Sequence, residues 1–327
     1  MKASGLYTSP WLGSAFAGLL LMATPVFAQA PEGPVEITVG SSAGGTPDVL
    51  MRSAAKILNE EKIVENPLVV ANRTGGSWTV ASNYALSKAG DKNTLMALAQ
   101  PMIATPIVQG TPNTFEKLNP ISVFVQGELL LVVQPDSPFK SLQDLVKAAK
   151  EKERGVRFAG AQTGGTDQMA TGLLEKKAGV KLNYIPFDGG GAAQAAFLGK
   201  NVEAIFVSLE EGNGLIESGK ARALAILSKQ RRPEPAFKDI PTATEQGVDL
   251  VWTQFWGIAM PPDSDPKLVA WWEDKIGKLV KSPAWTSFLA KSFFTSNLVS
   301  SKDSAAFLKE QHGIYVGVLR DLGLAKQ

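Results

Sequence analysis

The first residues whose spacing carries chemistry lie in VEITVGSSAGGTPDVL, residues 35–50. Gly40, Ser42 and Gly44 spell GxSxG, the turn that presents the nucleophile of many serine hydrolases. Gly44, Gly45 and Thr46, just ahead of an apolar helical pattern, spell a different device, a loop whose backbone N–H groups cradle an anion. An elbow serine stands at the strained turn with its helix directly behind it, whereas four residues, Ala43 to Thr46, separate Ser42 from Pro47, where the helix can begin. The one histidine, His312, lies on a closing helical stretch and fits the order Ser, acid, His, but no strand precedes Val35 to build a hydrolase sheet. An esterase using Ser42 therefore stands as the rival to a protein that only holds a ligand.

Three more glycine-rich turns follow. Gln162, Thr163, Gly164, Gly165 and Thr166 repeat the Gly-Gly-Thr pattern before a second helix, FDGGGAAQAAF holds Phe187, Asp188 and Gly189, and NRTGGSW ends in Trp78. One such turn is an ordinary strand-to-helix reversal; four in two matched units point to a shared site. Thr46, with Pro47 at the first helical position, and Thr166 read as N-caps, so several helix N-termini are expected to aim at one crevice that suits a carboxylate. The candidate contacts are Ser41, Ser42, Ala43, Gly44, Gly45, Thr46 and Asp48 in the first loop, and Gln162 to Thr166 in the second. Phe187, Asp188, Gly189, Trp78, Gln100 and Ser208 join them by topology. Trp78 reads as buried packing or as a platform for a planar guest, and Arg73 as a partner for a carboxylate or a brace for its loop. Glu210 and Glu211 read as a solvated helix start, with polar ligand contact as the alternative. With one His, no Cys and no EF-hand spacing, neither metal nor cofactor is expected.

The elements that must position these loops alternate from Val35 onward. Strand signals at 35–39, 68–70 and 94–99 alternate with helical patterns at 47–58 and 78–87, the order of a parallel α/β sheet. A second unit of the same kind begins near Leu129, with strands at 129–133, 156–159, 184–186, 202–207 and 221–227 and helices at 142–150 and 192–198. A short helix is expected at 242–246 in a Pro-rich passage, then an apolar run at 251–258 and two amphipathic helices at 266–280 and 304–319.

The 327 residues can hold two cores, and 33 basic against 31 acidic residues exclude a nucleic-acid or acidic-membrane partner. Residues 1–28 read as a secretory signal: Lys2, an apolar run from Leu12 to Met22, and cleavage after Ala28. The run is shorter than the ~20 residues of a spanning helix, so a soluble exported protein is expected, and the absence of cysteine leaves its fold to stand without disulfides.

Six segments in register carry a resemblance: AGGTPD followed by Arg52, ANRTGGS at 71–77, IPFDG at 185–189, GKARALAI at 219–226, DIPTATEQG at 239–247 and WGIAMPPDSDP at 256–266. Together they resemble the substrate-binding receptors of tripartite tricarboxylate transporters, the TctC or Bug family of periplasmic proteins, over nearly all of the mature chain. The resemblance implies a type II periplasmic binding fold of the Venus-flytrap kind: two α/β lobes joined by crossing strands, lobe 1 from 29–129 and 248–327, lobe 2 from 130–247. It also implies a monomer that holds a mono-, di- or tricarboxylate or an aromatic acid between the lobes and delivers it to membrane permease subunits. A receptor that presents its ligand to a signalling partner is the alternative of the same fold. Ser41 and Ser42 replace the family's common Phe-Pro, Gln168 a common His, and Asp188 a common Lys or Arg, where an acid repels a second carboxylate unless turned outward.

Overall fold

The computed structural model describes residues 1, 30–112, 115–161, 163–187 and 190–326, so the expected signal segment lies outside the described residues except at its first position. The first unit runs β1 (Val35–Val39), α1 (Thr46–Glu60), β2 (Leu68–Asn72), α2 (Thr79–Leu86), β3 (Thr94–Ala99) and α3 (Pro101–Gln109). β2, β1 and β3 are parallel neighbours, as strand-helix alternation requires.

The long strand β4 (Asn119–Val133) then organises the molecule. The sequence marks only its second half, because Gln126, Gly127 and Glu128 interrupt the apolar run. The strand continues through them, and Phe294 and Trp256 pack over Gly127.

A second unit follows: α4 (Leu142–Glu151), β5 (Arg157–Ala161), α5 (Thr166–Ala178), β6 (Asn183–Phe187), α6 (Gly190–Leu198), β7 (Ala204–Ser208), α7 (Leu209–Glu217) and β8 (Arg222–Ile226). The chain returns through β9 (Thr253–Met260), α8 (Pro266–Leu279), α9 (Pro283–Lys291), β10 (Thr295–Ser296) and α10 (Ser301–Asp321). β4 pairs with β9 from Asn119 to Glu128 and with β7 from Leu129 to Val133, both antiparallel, so one strand serves two sheets. At this crossing Arg232 donates to Glu128 on β4 and to Thr295 on β10, and pairs with Glu234.

The sheet is therefore mixed, in order β2-β1-β3-β9-β4-β7-β5-β6, rather than parallel throughout. Periodicity reports that a strand exists, while its direction is set by partners distant in sequence. The expected helix at 242–246 is instead a turn. Thr242 and Glu245 exchange reciprocal bonds, Glu245 N–H to Thr242 Oγ1 at 3.0 Å and Thr242 N–H to Glu245 Oε2 at 2.8 Å, and the turn closes before a helical ladder can extend.

Two apolar clusters hold the units. The larger contains fully buried Trp272, Trp285, Phe124, Phe255 and Tyr315; the smaller joins Leu130 and Val132 of β4 to Phe197, Ile205 and Phe237. Among the described residues no helix is long and apolar enough to cross a membrane.

Candidate ligand-binding site

Two loops share one backbone plan. Gly44 (φ +81°) and Gly164 (φ +76°) take the left-handed conformation that side chains rarely adopt. Each donates its N–H to the side chain four residues on, Gly44 to Asp48 Oδ2 at 2.9 Å and Gly164 to Gln168 Oε1 at 2.7 Å. The next glycine, Gly45 or Gly165, is an extended N-cap, and no side chain caps either helix. Thr46 and Thr166 are therefore the first helical residues, one place inside the caps expected of them. With glycine supplying the extended backbone, the hydroxyl has no capping bond to make.

The loops face a cavity of about 260 Å³. Five helices present their first residues or caps to it: Thr46 of α1, Pro101 of α3, Gly165, Thr166 and Asp167 of α5, Gly190 of α6, and Ser208 with Glu211 of α7. Leu129 of β4, Gln254 of β9, Gln194 and the ends of β5 and β7 complete the wall. Helix N-termini carry roughly half a positive charge each and unpaired N–H groups, a setting that favours anions. Beside this wall Gln100, 3% exposed and adjacent to Pro101, has no partner for its amide nitrogen among the described residues. The buried Ser41 Oγ is likewise unpartnered. A buried donor left unmade costs about 1–3 kcal/mol, so each is a group an acceptor can satisfy.

The acids of the two loops differ. Asp48 is buried, and its oxygens accept from Arg52 Nε at 2.9 Å, Asn72 Nδ2 at 2.8 Å and Gly44 N–H. Burial alone raises its pKa, but these donors outweigh burial and hold the carboxyl below its ordinary value. It is a strut of the loop, not a wall of the cavity, which corrects its place among the expected contacts. Asp167, by contrast, lines the cavity. Burial pushes its carboxyl up to about 7 against the pull of the Ala161 N–H, which it accepts at 2.8 Å, and the Glu211 charge adds to the rise. No lysine or arginine lies among the described residues of the wall.

Of the expected contacts, Thr46, Gly165, Thr166 and Ser208 line the cavity. Ser42, Ala43 and Gly44 are exposed on the loop, Gly45 is half-buried behind them, Thr163 is exposed, and Gly164 is buried against Val108 of α3. Phe187, at the end of β6, packs on the smaller core. Gln162, Asp188 and Gly189 lie outside the described residues. Trp78 is 6% exposed, left-handed at φ 75°, with its ring over Gly40, and it lines a neighbouring cavity of about 330 Å³ that also touches Pro101. The helix expected from 78 thus begins at Thr79.

Arg73 braces, donating from its Nη2 to both Glu36 oxygens at 2.8 Å and lying 3.6 Å from the Tyr84 ring centre. His312 packs on Phe115 and lines a different cavity. Ser208 and Glu211 form a capping box on α7, so the acid does cap the helix while also facing the cavity. The wall residues not expected from sequence are chiefly Pro101, Asp167, Gln194 and Gln254. Asp167 follows the Gly-Gly-Thr signal directly, and that adjacency was the available clue.

Two sheets sharing a long crossing strand, with a small cavity ringed by helix N-termini, define a two-lobed periplasmic binding protein of the Venus-flytrap type. The description of the tripartite tricarboxylate transporter family receptor, TctC, matches residues 50–324, and the chain belongs to that family. It is 29% identical over 319 residues to the "UPF0065 protein in gbd 5'region" of Cupriavidus necator, covering 96% of each chain. A TctC solute-binding protein from Polaromonas is 27% identical with a TM-score of 0.76, over 90% of this chain and all of that one. A protein of R. palustris solved with adipate is 23% identical with a TM-score of 0.78, over 90% and 99%, a likeness of fold. Receptors of this family are periplasmic, bind small carboxylates, work with transporter membrane subunits and are not enzymes. Accordingly the GxSxG pattern does not mark a nucleophile.

Proposed function

We propose that this chain captures a small carboxylate in the 260 Å³ cavity and delivers it to the membrane subunits of a tripartite tricarboxylate transporter. The observation that carries this reading is the convergence of five helix N-termini on one cavity whose described wall residues include no cationic side chain. The carboxylate is held by loop amides around Thr46, by the Ser41 hydroxyl and by the Gln100 amide, two buried donors without a partner among the described residues. The lobes divide at 29–129 with 248–327 and 130–247, and contacts from both favour the closed form. Residues 1–28 direct export and are removed in the mature protein. The adipate carried by the R. palustris relative supports a carboxylate guest.

A thermal-shift series with mono-, di-, tri- and aromatic carboxylates tests the reading. A true guest raises the melting temperature in proportion to the logarithm of its concentration above Kd. Gln100→Leu should abolish the shift while leaving the unliganded fold intact. A series in which no carboxylate moves the transition overturns the proposal.

A further inference from the structure

The cavity is electrically lopsided, and the asymmetry narrows the guest. On the side of α1 and α3 the helix ends are free to act as positive poles. α3 has no acid in its first turn, and the one in α1, Asp48, is consumed by Arg52, Asn72 and Gly44. Two of the buried donors without a partner among the described residues, Ser41 Oγ and Gln100 Nε2, belong to the chain segments that enter these helices. On the opposite side two of the three helix ends carry an acid, Asp167 in the first turn of α5 and Glu211 in the first turn of α7, and both face the cavity, while the first turn of α6 has none. One oxygen of Asp167 accepts the Ala161 N–H. Glu211 is held by Ser208, a neutral partner. A second carboxylate reaching this side meets two acids with no cation between them among the described wall residues. A donor group, above all a cationic one, meets complementary charge.

We infer that the guest is a carboxylate bearing an ammonium group at its far end, with the carboxylate at the α1 and α3 termini and the ammonium between Asp167 and Glu211. The inference rests on the carboxylate-receptor reading above and adds the chemistry of the second pole. Asp167 and Glu211 are then the residues that select amino carboxylates over dicarboxylates.

Three pairs of matched length separate the two classes: succinate with γ-aminobutyrate, glutarate with δ-aminovalerate, and adipate with ε-aminocaproate. Titration calorimetry on the full mature chain should find the amino member of the best-fitting pair about tenfold tighter, the size of one charge-assisted hydrogen bond. Asp167→Asn, whose amide oxygen still accepts the Ala161 N–H, should erase that ratio by weakening the amino acid while leaving or tightening the diacid. Glu211→Gln keeps the helix cap and should lower the ratio by about threefold, a second and independent readout if the Asn variant folds poorly. Tighter binding of the diacid in every pair, with Asp167 acting as a protonated donor, overturns the ammonium assignment alone. A wild-type ratio retained in both variants overturns it equally. Failure of both classes to bind removes the carboxylate reading and this inference with it.

Discussion

The loops at 40–48 and 160–168 are near copies that end in opposite electrical conditions. Gly40 and Gly160 lie at the ends of β1 and β5, just past the one and inside the other, Gly44 and Gly164 turn left-handed, Gly45 and Gly165 cap, and Thr46 and Thr166 open the helix. They differ in sequence at five positions, 41–43 against 161–163 and 47–48 against 167–168, and the last two decide the charge. The first loop has Pro47 then Asp48; the second has Asp167 then Gln168. Shifting the acid by one residue carries it from the inside of the loop, where Arg52 and Asn72 neutralise it, to the cavity wall, where no cation answers it. A shared backbone plan thus sets where a guest sits, and the side chain after the threonine sets which charge meets it.

The largest effect should come from removing the internal acid. Asp48→Ala strips Arg52, Asn72 and the Gly44 N–H of one common acceptor, and a loss of about 3 kcal/mol is expected in urea unfolding. Gln168→Ala removes only the single bond from Gly164 and should cost about 1 kcal/mol. Equal losses would mean that the two struts are equivalent and that the comparison has misjudged the first loop.

Asp167 predicts the reverse sign. Its carboxyl is raised from an ordinary 3.8 to about 7, so between about pH 4 and 7 the folded chain keeps a proton that the unfolded chain releases. Its contribution is fully present below the lower value and is lost as pH rises through the upper one. The groups around it are the Glu211 carboxylate and the Tyr184 and Tyr315 hydroxyls, whose own pKa values are raised by burial and by Asp167. Asp167→Asn should therefore be more stable than wild type at about pH 8, on the order of 2 kcal/mol after allowing for partial exposure, and indistinguishable near pH 3.5. A stability difference that does not change with pH would place the cost of Asp167 in packing.

The backbone half of this comparison can be read from sequence alone, because glycine, threonine and proline at fixed offsets act locally. The strands at 35–39 and 94–99 are visible for the same reason. What local pattern does not report is partnership. Arg73 is equally suited to a ligand or a brace until β1 and β2 pair and bring Glu36 beneath it. Gln254 reaches the cavity wall only because β9 lies on β4. α3 carries prolines at 101 and 106, which mask a helix whose Pro101 lines the site. Asp167 was hidden by its ordinariness, since an acid in the first turn of a helix is a routine complement to the dipole. Its meaning lies in the absence of a nearby cation on the described cavity wall, a property of the assembled fold.

The smallest effect belongs to the left-handed Gly44, and its contrast with Gly164 discriminates finely. Gly44→Ala places a methyl where nothing lies within 4 Å, so the cost is that of a positive φ alone, about 1 kcal/mol. Gly164→Ala pays the same conformational term but also drives its methyl to within 2.8 Å of Val108 Cγ2 on α3, a helix of the first unit. Overpacking adds about 1–2 kcal/mol unless α3 and the loop move apart. If they do, the extra cost shrinks in the free protein and reappears as weaker binding of a guest that needs the second loop against α3. Equilibrium unfolding and calorimetry on the two variants separate these outcomes. Equal losses of stability with unchanged affinity in both would show that the second loop is no more constrained by its neighbour than the first.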